Sequence, residues 1–254
     1  MKRPIRKWVF RLITTVLLLV SLLLIIILNP ALAYANKTTQ KNYSVFHNEE
    51  LSPSFFLKLA EADDLLKGSE LYTPELHIDI CLNDGSKYPT LVRTLRGQAF
   101  AWGFYDKVVL QGKANYDDNT VELNGYKWNL TELLAHEMTH CLQFSKLGLW
   151  KSNPIGDIPL WKWEGYAEYV SRQNADQRNL SKNIERLNST NKNDWGIKFA
   201  DSTIAPREYF DYWILIQYCM DIKKMTFQQI LTDTVPKEKV RQQMIQWYEL
   251  GKTR

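Results

Sequence analysis

Hydrophobic and polar positions change their spacing several times along this chain, and each change predicts a different element. Residues 12–28 carry no charge, and only Thr14, Thr15 and Ser21 interrupt the apolar run. That length is at the short limit for a membrane span and long for the apolar core of a cleaved signal peptide. Trp8, Val9 and Phe10 extend the run if Arg11 snorkels toward headgroups, and Asn29 and Pro30 end the helix. Residues 36–46 are polar and read as a tether. Ser52 followed by Pro53 is a cap and a first-turn proline, which predicts a helix to about residue 67, ended by Gly68. Leu76, Ile78 and Ile80 then alternate with His77, Asp79 and Cys81, the period of a strand. Asn83-Asp84-Gly85 closes it with turn chemistry. Two more strand-like runs, 100–105 and 108–111, meet at Asp106-Lys107. A further alternation around Val121 and Leu123 closes on Asn124-Gly125.

Beyond residue 125 the spacing becomes helical. Asn129 stands as a cap with Glu132 three residues on, a capping-box spacing, and the helix runs to about residue 146 before Gly148. A loop with Pro154, Gly156 and Pro159 leads to a second helix over 160–173. Residues 174–195 are rich in Asn, Lys and Ser and read as a surface excursion. A third helix spans about 206–222, Thr226 caps a short fourth, and Pro236 starts a last one to about residue 250. A small mixed sheet followed by helices is an α+β pattern. The predicted organisation is a topogenic segment (1–35), the tether (36–46) and one domain (47–254), with a sheet lobe over 47–148 and a helical lobe over 149–254.

Charge changes the reading of the first segment. The net charge is +4, but Lys2, Arg3, Arg6, Lys7 and Arg11 place +5 in the first 35 residues with no acid, leaving −1 on the rest. A nucleic-acid surface needs its positive charge on the folded domain, so that partner is excluded. A positive flank before an apolar helix stays in the cytoplasm, and the chain beyond the helix is exported. The helix is either a retained signal anchor or a signal peptide cut at Ala31-Leu32-Ala33 or Ala33-Tyr34-Ala35, which have small residues where a signal peptidase requires them. The domain is then membrane-anchored on the extracytoplasmic side, or secreted. A 45% apolar and 24% charged composition is that of a globular domain, which excludes disorder for most of the chain. Cys81, Cys141 and Cys219 are too few for a disulfide scaffold and read as three small buried residues, with one disulfide plus a free thiol as the alternative.

The candidate chemistry lies in the first helix after the sheet. His136-Glu137-Met138-Thr139-His140 is an HExxH run, and it holds two of the chain's four histidines. Residues four apart share a helix face, so both imidazoles reach one metal ion. Two neutral histidines suit Zn²⁺, and Glu137 beside them suits a general base acting on metal-activated water. By chance such a run is expected only about 0.003 times in a chain of this composition. A catalytic zinc site takes a third protein ligand. His47 and His77 lie upstream, and His77 reads as a strand residue. Downstream, Trp163-Glu164-Gly165-Tyr166-Ala167-Glu168-Tyr169 offers Glu164 at the start of the second helix. Glu168 shares its face and suits a carboxylate that orients a ligand histidine.

HExxH followed by a Glu in this Trp-x-Glu-Gly-x-Ala-Glu-Tyr setting resembles the gluzincin metallopeptidases, nearest to the peptidase MA-like group. Aminopeptidase relatives carry a similar Asn-Glu-Gly-Phe-Ala stretch, and thermolysin-type members place an acid four residues after the ligand Glu, as Glu168 is placed here. The resemblance covers about residues 75–222. It implies a zincin-like fold, zinc held by His136, His140 and Glu164, and Glu137 as general base. It also implies a Tyr that stabilises the developing oxyanion; Tyr209 matches the position, with Tyr212 one turn later in reserve. The gap from His140 to Glu164 is a few residues longer than in the aminopeptidases. No Gly-Ala-Met-Glu-Asn-like segment precedes the helix, so the resemblance implies peptide hydrolysis without an exopeptidase assignment. In such folds an edge strand before the metal helix pairs with extended substrate, and residues 107–112 are placed for that role. The expected function is a zinc metallopeptidase acting on a peptide or protein substrate. The alternatives are a catalytically silent zinc protein that grips a partner in an aromatic cleft, and a metal-free structural domain.

Overall fold

The computed structural model describes residues 3–252, with side chains from residue 7 onward. Lys2 therefore lies outside the described residues, as do the side chains of Arg3 and Arg6. Helix α1 (Arg3–Leu28) is continuous, and none of its apolar stretch Lys7–Leu28 is buried. Its length and composition suit a membrane span or a signal sequence. Asn29 ends it as expected, its side chain donating to the Ile25 carbonyl at 2.8 Å.

The expected tether is instead a hairpin. Strand β1 (Asn36–Gln40) pairs antiparallel with β2 (Tyr43–His47), and every residue of β2 is buried. The polar composition of this segment reports an edge strand facing water, not slack chain. The folded domain thus begins about ten residues before residue 47. Helix α2 (Pro53–Leu66) follows, with the Ser54 amide donating to the Ser52 hydroxyl. Next come β3 (Ile78–Cys81), helix α3 (Tyr88–Arg96), and the hairpin of β4 (Ala101–Phe104) and β5 (Lys107–Leu110). The hairpin turns at Tyr105-Asp106, one residue earlier than expected. Helix α3 was not foreseen; Pro89 stands in its first turn, and Tyr88, Pro89 and Val92 are its buried positions.

The mixed sheet has the order β1-β2-β3-β5-β4, with β2, β3 and β5 parallel and the outer strands antiparallel to them. Alternation sends Tyr43, Val45, Ile78, Ile80, Val108 and Leu110 to the main core. Phe46, Cys81 and Val109 point to the other face, where α3 covers them with Tyr88 and Val92. This topology corrects the edge-strand assignment. Residues 107–110 are interior, flanked on both sides, and the edge on this side of the sheet is β4.

Strands β6 (Lys113–Asn115), β7 (Thr120–Leu123) and β8 (Tyr126–Asn129) form a small meander that delivers the chain to α4 (Leu130–Leu147). Asn129 caps α4 by accepting from the Glu132 amide, but the capping box is half made, because the Glu132 carboxylate turns elsewhere. Residues 130–144 of α4 are buried throughout, so its polar residues stand in the core. Helix α5 (Leu160–Ser171) packs on it. The expected surface excursion contains helix α6 (Leu180–Ser189), whose Leu180 and Ile184 are buried four residues apart. A short ribbon, β9 (Gly196–Lys198) with β10 (Ile204–Pro206), precedes α7 (Arg207–Gln217). The third helix ends there in a π-helical turn, Tyr218–Ile222, and α8 (Phe227–Thr232) and α9 (Lys237–Lys252) complete the chain. The class is α+β, as expected. The three cysteines are free and buried, and burial pushes the thiols of Cys81 and Cys141 well up and that of Cys219 to about 11.

Candidate metal centre

Helix α4 sets His136 and His140 on one face, and their Nε2 atoms lie 3.2 Å apart. Helix α5 brings Glu164 to the same point: its Oε2 is 3.3 Å from His136 Nε2 and 3.2 Å from His140 Nε2. The three atoms form a near-equilateral triangle, with both histidines buried and Glu164 half-buried. Gly165 explains why Glu164 gets there. A Cβ at residue 165 would sit 2.7 Å from the Tyr212 carbonyl oxygen, so only glycine lets α5 lie directly on the α7 backbone. The buried group His136, Glu137 and His140 could hold a metal ion.

The outer nitrogens of both histidines face polar side chains. His140 Nδ1–H donates to Gln143 Oε1 at 2.7 Å, and Gln143 Nε2 donates to the Trp163 carbonyl at 3.0 Å. That leaves the His140 Nε2 lone pair turned inward. His136 Nδ1 faces Glu168 Oε1 at 3.3 Å as an ion-pair approach, and neither atom has a hydrogen-bond partner. Arg172 holds the far oxygen of Glu168 through Nε and reaches Glu132 through Nη1. Gln177 Nε2 donates to the other Glu132 oxygen at 2.6 Å. Arg172 is 1% exposed, and its guanidinium lies 5.0 to 5.8 Å from the rings of Phe199, Trp128 and Trp213. A buried cation thus sits between two buried carboxylates, one of which faces His136. Sequence reasoning placed Glu168 but missed Gln143 and Arg172, because one polar residue on an apolar helix carries no signal of its partners.

Electrostatics follow from this geometry. Burial works against the imidazolium of His136, yet Glu164 and Glu168 outweigh it and push its pKa up to about 10. Burial likewise opposes the Glu164 carboxylate, but His140 and His136 hold it well below the usual range. The Glu137 carboxyl is pushed up, chiefly by burial, against the pull of the two histidines.

Glu137 Oε2 accepts from the Gly103 amide of edge strand β4 at 2.5 Å. This approach demands glycine, since a Cβ at residue 103 would meet the Glu137 carbonyl oxygen at 2.3 Å. Gly103→Ala therefore forces β4 off α4. We expect a loss of about 1–3 kcal/mol, read from the denaturant midpoint, together with a displaced Glu137.

These groups open into a cleft with a cavity volume of about 1240 Å³, walled by Phe100, Trp102, Trp128, Trp163 and Trp195. Tyr209 also lines it, its ring stacked 6.0 Å from that of His136. Burial and the nearby carboxylates of Glu164 and Glu137 push the Tyr209 hydroxyl up, so it stays a proton donor. Tyr212, the reserve choice, spends its hydroxyl on Glu208. His47 and His77 lie elsewhere, bonded to Thr38 and Ser44. No protein-family model matches the chain, and no curated protein shows significant similarity to it.

Proposed function

We propose that this chain is a zinc-dependent metallopeptidase of the gluzincin type, with a zincin-like fold, that hydrolyses peptide bonds on the extracytoplasmic side of a membrane. The observation that carries the reading is the donor triangle of His136, His140 and Glu164, with edges of 3.2, 3.2 and 3.3 Å. Tetrahedral zinc with bonds of about 2.0–2.1 Å spaces its ligand atoms about 3.3–3.4 Å apart, and two imidazoles with one carboxylate are a donor set it favours. Zinc in such a site supplies Lewis-acid chemistry, making water acidic near neutral pH and polarising a carbonyl.

The remaining work falls to the chain. Gln143 and Glu168 hold the two imidazoles in the tautomers that turn Nε2 inward. Glu137, its basicity raised by burial, accepts the proton of the attacking water and returns it to the leaving amine. Tyr209 keeps its proton and donates to the developing oxyanion. The open edge of β4 pairs with the backbone of an extended substrate, while the aromatic walls exclude water. A second reading draws on the same cleft: a catalytically silent zinc protein that grips a partner between the tryptophans. Glu137 separates the two, since only turnover needs its carboxylate.

The zinc content of the full chain purified in detergent tests the metal. One zinc per chain is expected, falling at least tenfold in His140→Ala. A wild-type chain without metal after mild preparation would overturn the proposal.

A further inference from the structure

Residues between α1 and the first strand are clamped, not slack. Pro30 is buried. The Tyr88 hydroxyl donates to the Ile27 carbonyl at 2.6 Å, and Ser86 Oγ donates to the Ala33 carbonyl at 2.8 Å. Tyr34 donates to the Leu82 carbonyl, and the Ala35 amide donates to Asn48 Oδ1, both at 2.8 Å. The Tyr34 ring lies 6.0 Å from those of Phe46 and Tyr88, so with Ala33 it completes the apolar cover on the outer face of the sheet. Both sequence-level cleavage points fall inside this clamp. A cut after Ala33 detaches the carbonyl that Ser86 holds, and a cut after Ala35 removes Tyr34 and opens the small core beneath it.

The same clamp positions α3. The helix starts at Tyr88, the residue bonded to the end of α1, and stops at Arg96, which lines the cleft. Nine helical residues span about 13 Å, so the cleft rim lies close to where α1 leaves its apolar stretch. The solvent side of this helix and its approach carries Lys87, Thr90, Arg93 and Thr94, with Leu95 exposed at its end, and residues 85–105 contain no acid. Among the described residues Lys87 and Arg93 form no ion pair. A basic, partly apolar outer face next to a membrane helix is complementary to anionic headgroups.

We infer that α3 is a membrane-surface helix. Its outer face rests on anionic lipid headgroups beside an uncleaved α1, and this contact holds the cleft mouth at the bilayer. The inference rests on the membrane reading of α1 and is independent of the metal chemistry. The test uses the full chain in nanodiscs of phosphatidylcholine with and without phosphatidylglycerol. The native cysteines are buried, so Leu95→Cys and the control Gln246→Cys on α9 take a fluorophore selectively. Quenching by headgroup spin-labelled lipid is expected to be at least threefold stronger at residue 95 than at residue 246. It should fall in phosphatidylcholine alone and in the Lys87→Gln/Arg93→Gln variant. Intact mass reports the N-terminus in the same samples. A mass lacking residues 1–33 or 1–35 overturns the inference together with the anchor. A full-length mass with equal quenching at both positions overturns the docking of α3 and leaves the anchor standing.

Discussion

Glu137→Gln is expected to retain one zinc per chain and an unchanged unfolding midpoint while kcat on denatured casein falls by about 10²–10⁴-fold. The expectation rests on where the carboxylate sits. It is buried beside the two histidines, and its Oε2 accepts from the Gly103 amide. Glutamine is nearly isosteric and keeps a carbonyl oxygen for that amide, so the contact of β4 with α4 survives. What it loses is the ability to take a proton. Because burial raises the Glu137 pKa, the native carboxylate is a stronger base than an exposed one, and the amide replaces it with none. KM should change little, since the cleft walls and the edge strand are untouched. Metal content and kcat measured on the same preparation distinguish this outcome from a folding defect. A silent zinc protein would show no difference between the two chains.

Arg172→Met is expected to cost more stability than any other substitution proposed for this chain, about 3–5 kcal/mol. Arg172 is fully buried and is the counter-charge of both Glu168 and Glu132. Methionine fills similar space among Trp128, Phe199 and Trp213 but leaves Glu132 in the core without a cation and Glu168 with His136 alone. Burial opposes the Glu168 carboxylate, while Arg172 and His136 hold its pKa below the ordinary value. The folded state therefore gains stability from Glu168 at neutral pH and loses it as pH falls through that depressed value. In Arg172→Met this acid-side loss should shrink, because the carboxyl is already driven toward its neutral form. A neutral Glu168 no longer fixes the tautomer of His136, so zinc affinity should also fall, by about 10–100-fold in a chelator competition. The denaturant midpoint of the full chain in detergent, measured across pH, reads the first two effects.

The parts of this site that were legible in the sequence are those with a local rule behind them. Asn129, the four-residue spacing of His136 and His140, and Gly148 define α4 through capping and helical period alone. Glu164 and Glu168 stand out because acids are rare among so many aromatic neighbours. The edge strand was misplaced although a signal for it exists. Val108-Val109-Leu110 is an unbroken apolar run, the pattern of an interior strand covered on both faces. Residues 36–46 read as a tether because an edge strand keeps polar side chains, and its partner β2 supplies too few residues to show a period. Helix α6 was masked by its polar composition, although Leu180, Ile184 and Leu187 keep a helical period toward the core. The Arg172 network could not be read at all. Its members come from α4, α5 and the segment before α6, and the rings around the guanidinium come from β8, the loop after β9, and α7. Only the fold brings them together.

Cleavage of denatured casein by the full chain, with and without a chelator, tests the central claim most directly. The account predicts cleavage that stops on metal removal and returns when one equivalent of zinc is restored. Cleavage that persists without metal, or none at all from a chain carrying one zinc, would contradict it.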